Sequence, residues 1–226
     1  MKRIVILSGA GVSAESGIRT FRDSDGLWEE YNVMEVASID GWYKDSKTVL
    51  EFYNARRKQI KDAQPNNAHK IIAELEKYFE VSVITQNIDN LHERAGSSNV
   101  IHLHGEITKV RPENDENTII DIGYADVNIG DTDKNGIQLR PHIVWFGEAV
   151  PMMDKAIEEV KKGDILLIIG TSLNVYPAAG LVNYVKKGTQ IYLIDPNPIR
   201  LNYQYFTQIQ EQASSGMKKI RELLLK

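Results

Sequence analysis

The residues best suited to chemistry stand in polar clusters that directly follow apolar, β-branched runs. The first cluster follows VSVIT and the second follows DILLIIG, and their members are Gln86, Asn87, Ile88 and Asp89, then Thr171 and Ser172. Open α/β sheets bind ligands at the carboxyl ends of their strands. Amides and a carboxylate at such an edge suit a ribose and a carboxamide. The alternative is that Asp89 or Asn90 only caps the short helix that follows.

The chain opens with a short apolar run and a glycine-rich turn. RIVILS leads into GAGVSAESG, where Gly9, Gly11 and Ala14 satisfy the G-x-G-x-x-G/A pattern of dinucleotide-binding turns. Glycines there let backbone N–H groups and a helix N-terminus approach a pyrophosphate. The pattern by itself is weak, because the same glycines could serve a tight turn that only packs a helix on a strand.

An acidic residue suited to an adenosine ribose lies far downstream. Asp195 ends the run TQIYLID, so its carboxylate is expected at the carboxyl end of a strand, within reach of ribose hydroxyls. In an ordinary dehydrogenase this residue follows the glycine turn by about twenty positions. The layout therefore differs from that of a usual oxidoreductase.

A candidate general base follows the run NVIHL. His104 precedes Gly105, and a neutral imidazole, with an ordinary pKa of about 6.5, can accept a proton near pH 7. Because a single histidine is more often structural than catalytic, this position needs support from its neighbours. We expect surface or packing roles for His69, His92 and His142.

These clusters need a scaffold that brings them together. Five apolar runs alternate with segments of helical periodicity, which predicts an α/β fold with a Rossmann-like parallel sheet and helices on both faces. We expect helices over 45–61, 67–78 and 154–162 and from Ala213 onward. We expect one domain over 1–226, with a core at about 1–25, 80–106 and 142–226. A small inserted module would comprise about 26–79 and 107–141.

Composition excludes several functional classes. The 226 residues carry a formal net charge of −4, so no basic field attracts nucleic acid or an anionic membrane. No run reaches the roughly 18 apolar residues of a membrane span, and the first run is too short for a signal peptide. With no cysteine there is no disulfide, thiolate nucleophile or cysteine-bound metal. We expect a cytoplasmic protein.

Taken together, GAGVSAESGIRTFR, TQNIDNLH, HLHG, IVWFGE and GTS resemble the sirtuins, in the order and approximate spacing of that family. The resemblance implies an enzyme that consumes NAD while removing acyl groups from lysine side chains. It implies that the acyl oxygen attacks C1′ of the nicotinamide ribose and that nicotinamide leaves. His104 would then deprotonate the ribose hydroxyls, and the acyl group would depart as O-acyl-ADP-ribose.

The resemblance also implies a role for individual residues. The catalytic residues would be His104, Asn87 and Asp89. The NAD-binding residues would be Gly9, Ala10, Gly11, Ala14, Glu15, Phe21 and Arg22 in the first loop, Gln86, Asn87, Ile88 and Asp89 at the nicotinamide and its ribose, and Gly170, Thr171, Ser172, Asp195, Asn197 and Ala213 on the adenosine side. The substrate peptide would add as a strand to the segment that holds Val144, Phe146, Gly147 and Glu148.

A pair of residues in EFYNARRKQI suggests which acyl group is recognised. Tyr53 and Arg56 stand three positions apart and so share a helix face. The pair resembles the Tyr-x-x-Arg of bacterial class III sirtuins that remove succinyl and malonyl groups. The guanidinium could fork onto a distal carboxylate, and Ala37 could leave room for the longer chain. The alternative is a solvated arginine beside a core tyrosine.

Two departures from the family matter. Most members bind a structural zinc through two Cys-x-x-Cys pairs, so this chain is expected to bind none and to hold its small module by β-pairing and apolar patches. Asp195 stands where the family usually has Asn. The expected partners are acylated-lysine proteins or peptides, without nucleic acid or membrane, and the expected state is a monomer. Two other functions stay open: mono-ADP-ribosyl transfer to protein, and a catalytically silent NAD-sensing module.

Overall fold

A computed structural model of the chain describes residues 1–19, 27–28 and 31–226, and of 27–28 it describes the backbone alone. The predicted cofactor residues Phe21 and Arg22 lie outside the described residues. The strands are β1 (Arg3–Ser8), β2 (Leu27–Trp28), β3 (Tyr31–Asn32), β4 (Glu80–Thr85), β5 (Val100–His102), β6 (Gly105–Pro112), β7 (Ile120–Asp121), β8 (Leu139–Ile143), β9 (Ile165–Ile169), β10 (Gln190–Ile194) and β11 (Phe206–Ile209).

The helices include the four that periodicity predicts. They are α1 (Gly11–Ala14), α2 (Val33–Val36), α3 (Ile39–Lys44), α4 (Ser46–Asp62), α5 (Asn67–Leu75), α6 (Leu91–Ala95), α7 (Met153–Lys162) and α8 (Ala213–Leu224), with a 3-10 helix at Ala178–Tyr184. The predicted helices correspond to α4, α5, α7 and α8, and each starts within one residue of its expected position. In the described part of the chain, no helix is both long and apolar enough to cross a membrane.

Six parallel strands form the central sheet in the order β11-β10-β9-β1-β4-β5. Strand β1 lies between β4 and β9, with Leu7 opposite both Ile84 and Ile168. The chain therefore reverses its direction of strand addition between β1 and β9. The carboxyl side of such a reversal is where open α/β sheets bind ligands, so the predicted Rossmann-like architecture is confirmed.

Alternation along β1 explains why helices cover both faces of this sheet. Ile4 and Ile6 belong to the core that contains α5 and α8, whereas Val5 and Leu7 belong to the core that contains α7 and the 3-10 helix. Neighbouring strand residues point to opposite faces. Since both faces are buried, the strands read as continuous apolar runs rather than alternating ones.

A second, smaller unit forms around the antiparallel strands β7-β6-β8 and helices α2 to α4. Its apolar core includes Trp42, Phe52, Val110 and Trp145. Among the described residues, no His, Asp and Glu side chains are grouped as a metal site would require. Apolar packing and β-pairing both contribute to the unit, but they are not its only support.

Two polar side chains of α4 also tie the antiparallel sheet to the helix. The fully buried Arg57 donates from Nε to the Ile107 carbonyl at 2.8 Å and from Nη1 to Asn54 Oδ1 at 2.6 Å. Asn54 in turn accepts from Val127 N–H at 3.0 Å and donates to the Val127 carbonyl at 2.9 Å. These bonds satisfy backbone groups of the insertion that would otherwise be buried without partners.

Helix α5 lies on the large sheet and not in the small module. Ile71, Ile72 and Leu75 pack in the same core as Ile4 of β1 and Met217 of α8. The sequence-based boundary, which assigned residues 26–79 to the small module, therefore extends too far along the chain. Its apolar stripe directs α5 against the sheet, and we place the boundary at the end of α4.

Candidate active site

The glycine turn after β1 packs directly on the turn after β9. Gly9 N–H donates to the Ile169 carbonyl at 3.0 Å, and Gly11 N–H donates to the Gly170 carbonyl at 2.9 Å. A Cβ at Gly9 would lie 2.7 Å from Thr171 Cβ, and one at Gly11 would lie 2.7 Å from Gly170 Cα. The glycines are thus needed for contact between two loops. These two N–H groups are committed to protein carbonyls, which corrects the expectation that they face a pyrophosphate.

The polar clusters that follow β4 and β9 meet at this edge, as their spacing predicts. Gln86 Nε2 donates to Thr171 Oγ1 at 3.1 Å, and Gln86 N–H donates to the Ser8 carbonyl at 2.9 Å. The end of β4 is therefore tied to the ends of both β1 and β9. Ala10 and Ala14 lie on the same edge, partly buried and exposed respectively.

Behind this edge, Asp89 belongs to a buried polar cluster. Ser13 Oγ donates to Asp89 Oδ2 at 3.0 Å and accepts from Asn87 Nδ2 at 3.2 Å. Asp89 Oδ1 accepts from Leu91 N–H at 3.0 Å, so the carboxylate both starts α6 and joins the cluster. Asp89 can therefore cap α6 and still belong to the polar cluster at the sheet edge. Burial raises the pKa of Asp89, against the hydrogen bonds from Leu91 and Ser13 that lower it.

His69 orients Ser13 in this cluster, which corrects the expected packing role. Asn66 N–H donates to His69 Nδ1 at 3.3 Å, so the ring proton is on Nε2, 3.4 Å from Ser13 Oγ. The serine oxygen accepts from that nitrogen and donates its own hydrogen bond to Asp89 Oδ2. Burial lowers the pKa of His69 to about 4, so the ring is neutral at pH 7. His92 is likewise fully buried, with Nε2 3.0 Å from Ser8 Oγ.

His104 presents a lone pair beside the cluster. Its Nδ1 lies 2.9 Å from the Gln86 carbonyl. Since a carbonyl oxygen can only accept, Nδ1 carries the proton and Nε2 carries the lone pair. Burial lowers the pKa of His104. The ring is therefore a neutral base of fixed tautomer at physiological pH, and it is only partly buried.

The expected adenosine side is a more open region at the ends of β9 and β10. Asp195 is buried, and its Oδ1 accepts from Asn197 N–H at 2.9 Å. Ser172 and Asn197 line a cavity of about 800 Å³ beside the 3-10 helix. Ala213 is buried at the start of α8.

Glu15, expected at the cofactor, lies at the first turn of α8. Its Oε2 accepts from Ser214 N–H at 2.8 Å. A carboxylate there satisfies one of the unpaired donors of the helix and interacts favourably with its dipole. The structure therefore gives Glu15 a capping contact between α8 and the glycine turn.

The segment predicted to bind substrate is already paired with the end of α2. Phe146 N–H donates to the Ala37 carbonyl at 2.9 Å, and Ile39 N–H donates to the Phe146 carbonyl at 3.1 Å. Val144 N–H donates to the His104 carbonyl at 3.0 Å. Phe146 and Ala37 are thus neighbours as expected, but the backbone bonds of Phe146 are made within the chain. Gly147 follows with a φ of 93°, a conformation that favours glycine.

Glu148, expected at the substrate, holds this segment from inside. Its carboxylate accepts from Arg140 Nη1 at 2.7 Å and Nη2 at 2.9 Å, and from Trp145 N–H at 2.8 Å. Burial opposes ionisation, but the hydrogen bonds from Arg140 and Trp145 prevail and lower the pKa of Glu148. The Arg140 guanidinium also lies 3.6 Å from the centre of the Trp145 ring.

The candidate acyl-reading pair is buried against Trp145. Tyr53 is 1% exposed and Arg56 is 2% exposed, so a solvated arginine is excluded. Trp145 Nε1 donates to the Tyr53 hydroxyl oxygen at 2.8 Å, and Arg56 Nη1 donates to Gln59 Oε1 at 2.7 Å. Ala37 packs in the same core cluster as Tyr53 and Trp145.

Comparison with known proteins identifies the family. The model of the Sir2 family matches residues 9–177, well over half of the chain. The chain belongs to the Sir2 family. This sirtuin is 52% identical to an NAD-dependent protein deacylase of Bacteroides thetaiotaomicron over 231 aligned residues, covering 100% of this chain and 99% of the relative.

Solved sirtuin structures share the whole fold. A Sir2 homologue in complex with NAD superposes with a TM-score of 0.89 at 41% identity, covering 99% of this sirtuin and 90% of that chain. Sir2Tm bound to a propionylated peptide superposes with a TM-score of 0.81 at 29% identity, covering 97% and 92% of the two chains.

Sequence reasoning missed several residues that organise this sirtuin site. Ser13 lies inside the glycine motif, where its buried hydroxyl gave no separate signal. His69, His102 and Trp145 lie far along the chain from the groups they bond. His69 follows the capping residue Asn66 by three positions, which is a local signal for its backbone contact. His102 and Trp145 lie inside the quoted motifs HLHG and IVWFGE, which do not show what these side chains bond.

Proposed function

We propose that this sirtuin is an NAD-dependent protein-lysine deacylase that removes succinyl and malonyl groups in preference to acetyl and yields nicotinamide and O-acyl-ADP-ribose. The observation that carries the proposal is His104, a neutral base of fixed tautomer next to the buried Asn87, Ser13 and Asp89 cluster. Such a base can take a proton from a ribose hydroxyl. The deacylase name of the relative from Bacteroides thetaiotaomicron supports this reading.

The 86–89 loop suits the nicotinamide half of NAD. Asn87 offers an amide with both donor and acceptor capacity, and Asp89 adds a buried carboxylate held by Ser13. The flanking rings of His69 and His92 are neutral because burial lowers the pKa of each. An amide and a carboxylate flanked by neutral histidine rings can accept from and donate to a carboxamide, and the NAD complex of a similar structure supports NAD as the consumed co-substrate.

Tyr53 is oriented as a hydrogen-bond donor toward an acyl group. The Trp145 indole N–H can only donate, so the Tyr53 oxygen accepts from it at 2.8 Å. The phenol proton is then left to donate elsewhere. Arg56 lies on the same helix face, and its charge acts on the Tyr53 hydroxyl. A charge-assisted bond of about 1.5 to 3 kcal/mol would favour an acidic acyl group about 10-fold to 150-fold.

The test follows deacylated peptide and acyl-ADP-ribose by mass spectrometry, with matched succinyl-lysine and acetyl-lysine peptides. We expect faster succinyl turnover, and we expect Arg56→Met to raise KM for the succinyl peptide about 10-fold to 150-fold while acetyl turnover changes little. Lys58→Met, at an exposed position of the same helix, is the matched control and should change neither. Equal losses on both peptides in Arg56→Met would contradict the acyl preference.

The same experiment separates the other two functions. In a mono-ADP-ribosyltransferase, label from NAD would appear on protein, whereas a deacylase leaves the label in a small molecule. A silent NAD-sensing module would release no nicotinamide. The lone pair on His104 Nε2 supports the deacylase, because deprotonation of a ribose hydroxyl needs a neutral base.

We further propose that the protein acts as a monomer in the cytoplasm, without bound zinc. Zero cysteines in the sequence support a reducing compartment and remove the thiolate ligands that the family uses for zinc. Light scattering of the purified protein at micromolar concentration tests the monomer. Metal analysis of the same sample tests the absence of zinc. A stable dimer or stoichiometric zinc would contradict them.

A further inference from the structure

Two histidines, two positions apart, hold successive carbonyl groups of the 86–89 loop. His104 Nδ1 lies 2.9 Å from the Gln86 oxygen, and His102 Nδ1 lies 3.0 Å from the Asn87 oxygen. Because carbonyl oxygens only accept, both Nδ1 atoms carry protons. The two rings therefore make the same backbone contact, and they differ in what their second nitrogen meets.

The second nitrogen of His102 faces a carboxylate. Nε2 lies 2.7 Å from Glu93 Oε1, and an ionised carboxylate, like a carbonyl, can only accept. Both ring nitrogens of His102 therefore donate, which requires the imidazolium form. His104 instead keeps its Nε2 lone pair for the site.

The surroundings of His102 support a positive charge. Glu93 from α6 and Glu106 from β6 are the acidic groups that raise the pKa of the ring. The charge of His102 in turn lowers the pKa of Asp89 in the 86–89 loop. His92, also on α6, stays neutral because burial and the two neighbouring histidines lower its pKa. Burial opposes the charge, but Glu93, the Asn87 carbonyl and Glu106 together raise the pKa of His102.

Asn87 is fixed from three directions, and His102 supplies one of them. Asn87 N–H donates to Thr85 Oγ1 at 3.0 Å, and its Nδ2 donates to Ser13 Oγ at 3.2 Å. The remaining backbone group, its carbonyl, accepts from His102. Without that bond, the peptide unit that joins Asn87 to Ile88 could rotate. The Asn87 side chain would then no longer be held in one direction.

We propose that His102 is a positioning residue: held as an imidazolium by Glu93, it fixes Asn87 in the orientation needed for cleavage of nicotinamide from NAD. The effect of His102 on kinetics rests on the proposed NAD-dependent activity. The charge state of His102 does not depend on that activity, so the charge and the kinetic effect can be tested separately.

The charge state is tested by ¹⁵N NMR of the histidine rings at pH 7, with the signals of His102 assigned by their loss in His102→Asn. We expect protons on both Nδ1 and Nε2 of His102 and a neutral ring for His104. Glu93→Gln should turn His102 neutral at a lower pH than in the unmodified protein. A neutral His102 at pH 7 in the unmodified protein would overturn the proposal, whatever the enzyme does.

The positioning role is tested by two variants that each keep one contact. Asn places a donor near the position of Nδ1 and can keep the Asn87 bond, whereas Gln reaches the position of Nε2 and keeps only the Glu93 bond. We expect His102→Gln to lower kcat for nicotinamide release about 10-fold to 100-fold with little change in peptide KM. His102→Asn should lose less than about 5-fold. Equal losses in the two variants would overturn the role.

The pH profile gives a readout that a purely structural role would not move. Glu93 raises the pKa of His102, so removing that carboxylate lowers it, and the imidazolium is lost at a lower pH. At high pH the neutral ring keeps one proton, which the Glu93 carboxylate draws to Nε2, so the bond to the Asn87 carbonyl is lost; an amide at position 93 can instead donate to Nε2 and leave the proton on Nδ1. The alkaline limb of kcat for nicotinamide release should therefore be lost in Glu93→Gln. Glu80→Gln, the same change at the amino end of β4, should leave it in place. A retained limb in Glu93→Gln would contradict the proposal, whereas no turnover by the unmodified protein would contradict only the proposed function.

Discussion

The carboxyl edge of the large sheet and the small module position their polar groups in different ways. At the sheet edge, functional side chains directly follow strands, and neighbouring loops hold one another through backbone groups, as between Gly11 and Gly170. In the small module, single side chains bridge distant segments: Arg57 reaches the Ile107 carbonyl, and Trp145 reaches the Tyr53 hydroxyl. Backbone contacts between neighbouring loops thus help to position the polar groups of the edge. In the module, a few buried side chains do this.

This difference predicts different responses to mutation. A change at the edge should remove chemistry while leaving the fold intact, because strand pairing positions the loops. A change at a bridging side chain of the module should cost stability or selectivity, because the buried carbonyl or hydroxyl that it bonds would lose its partner. The comparison can be tested by one variant at the edge and two in the module.

The largest effect is expected for His104→Ala. Loss of the base should lower formation of deacylated peptide about 10²-fold to 10⁴-fold, since the Nδ1 contact with Gln86 leaves the lone pair of His104 on Nε2. NAD affinity, measured by calorimetry, and the thermal midpoint should change little. Turnover near the level of the unmodified protein would remove His104 as the base.

The next largest is a stability loss in Arg57→Met. The fully buried guanidinium donates to the Ile107 and Ala125 carbonyls and to Asn54. Leaving those acceptors unpaired should lower the free energy of unfolding by about 2 to 3 kcal/mol in a denaturant titration. Lys58→Met, which removes an exposed ion pair with Asp126, should cost less than about 1 kcal/mol. Similar losses in the two variants would mean that Arg57 does not anchor the module.

The smallest effect is a change of selectivity in Trp145→Phe. Without the indole N–H, Tyr53 loses the donor that orients its hydroxyl, so KM for the succinyl peptide should rise about 3-fold to 10-fold. Acetyl turnover should stay within a factor of about two. In a Tyr53→Phe background the same substitution should add nothing further, because both act through one hydrogen bond. Additive losses would show that Trp145 acts on the pocket by another route.

The sequence alone determined the features that depend on neighbouring residues. Buried strands of length five or six predicted the parallel sheet, and the polar residues after VSVIT and DILLIIG were correctly expected at one edge. His104 was expected at this edge for the same reason, and it comes two residues after the end of β5. Local periodicity and the geometry of parallel strands suffice for such features.

Only the tertiary structure decided what each buried polar group does. His102 ends β5 and His104 comes two residues later, and the contact of His102 with Glu93 makes His102 a cation while His104 stays a neutral base. Glu148 accepts from Arg140 and Trp145 within the chain, and α5 packs on the large sheet instead of joining the module. The charge, tautomer and orientation of a buried group depend on atoms brought close by folding from distant parts of the chain, and no local pattern records those distances.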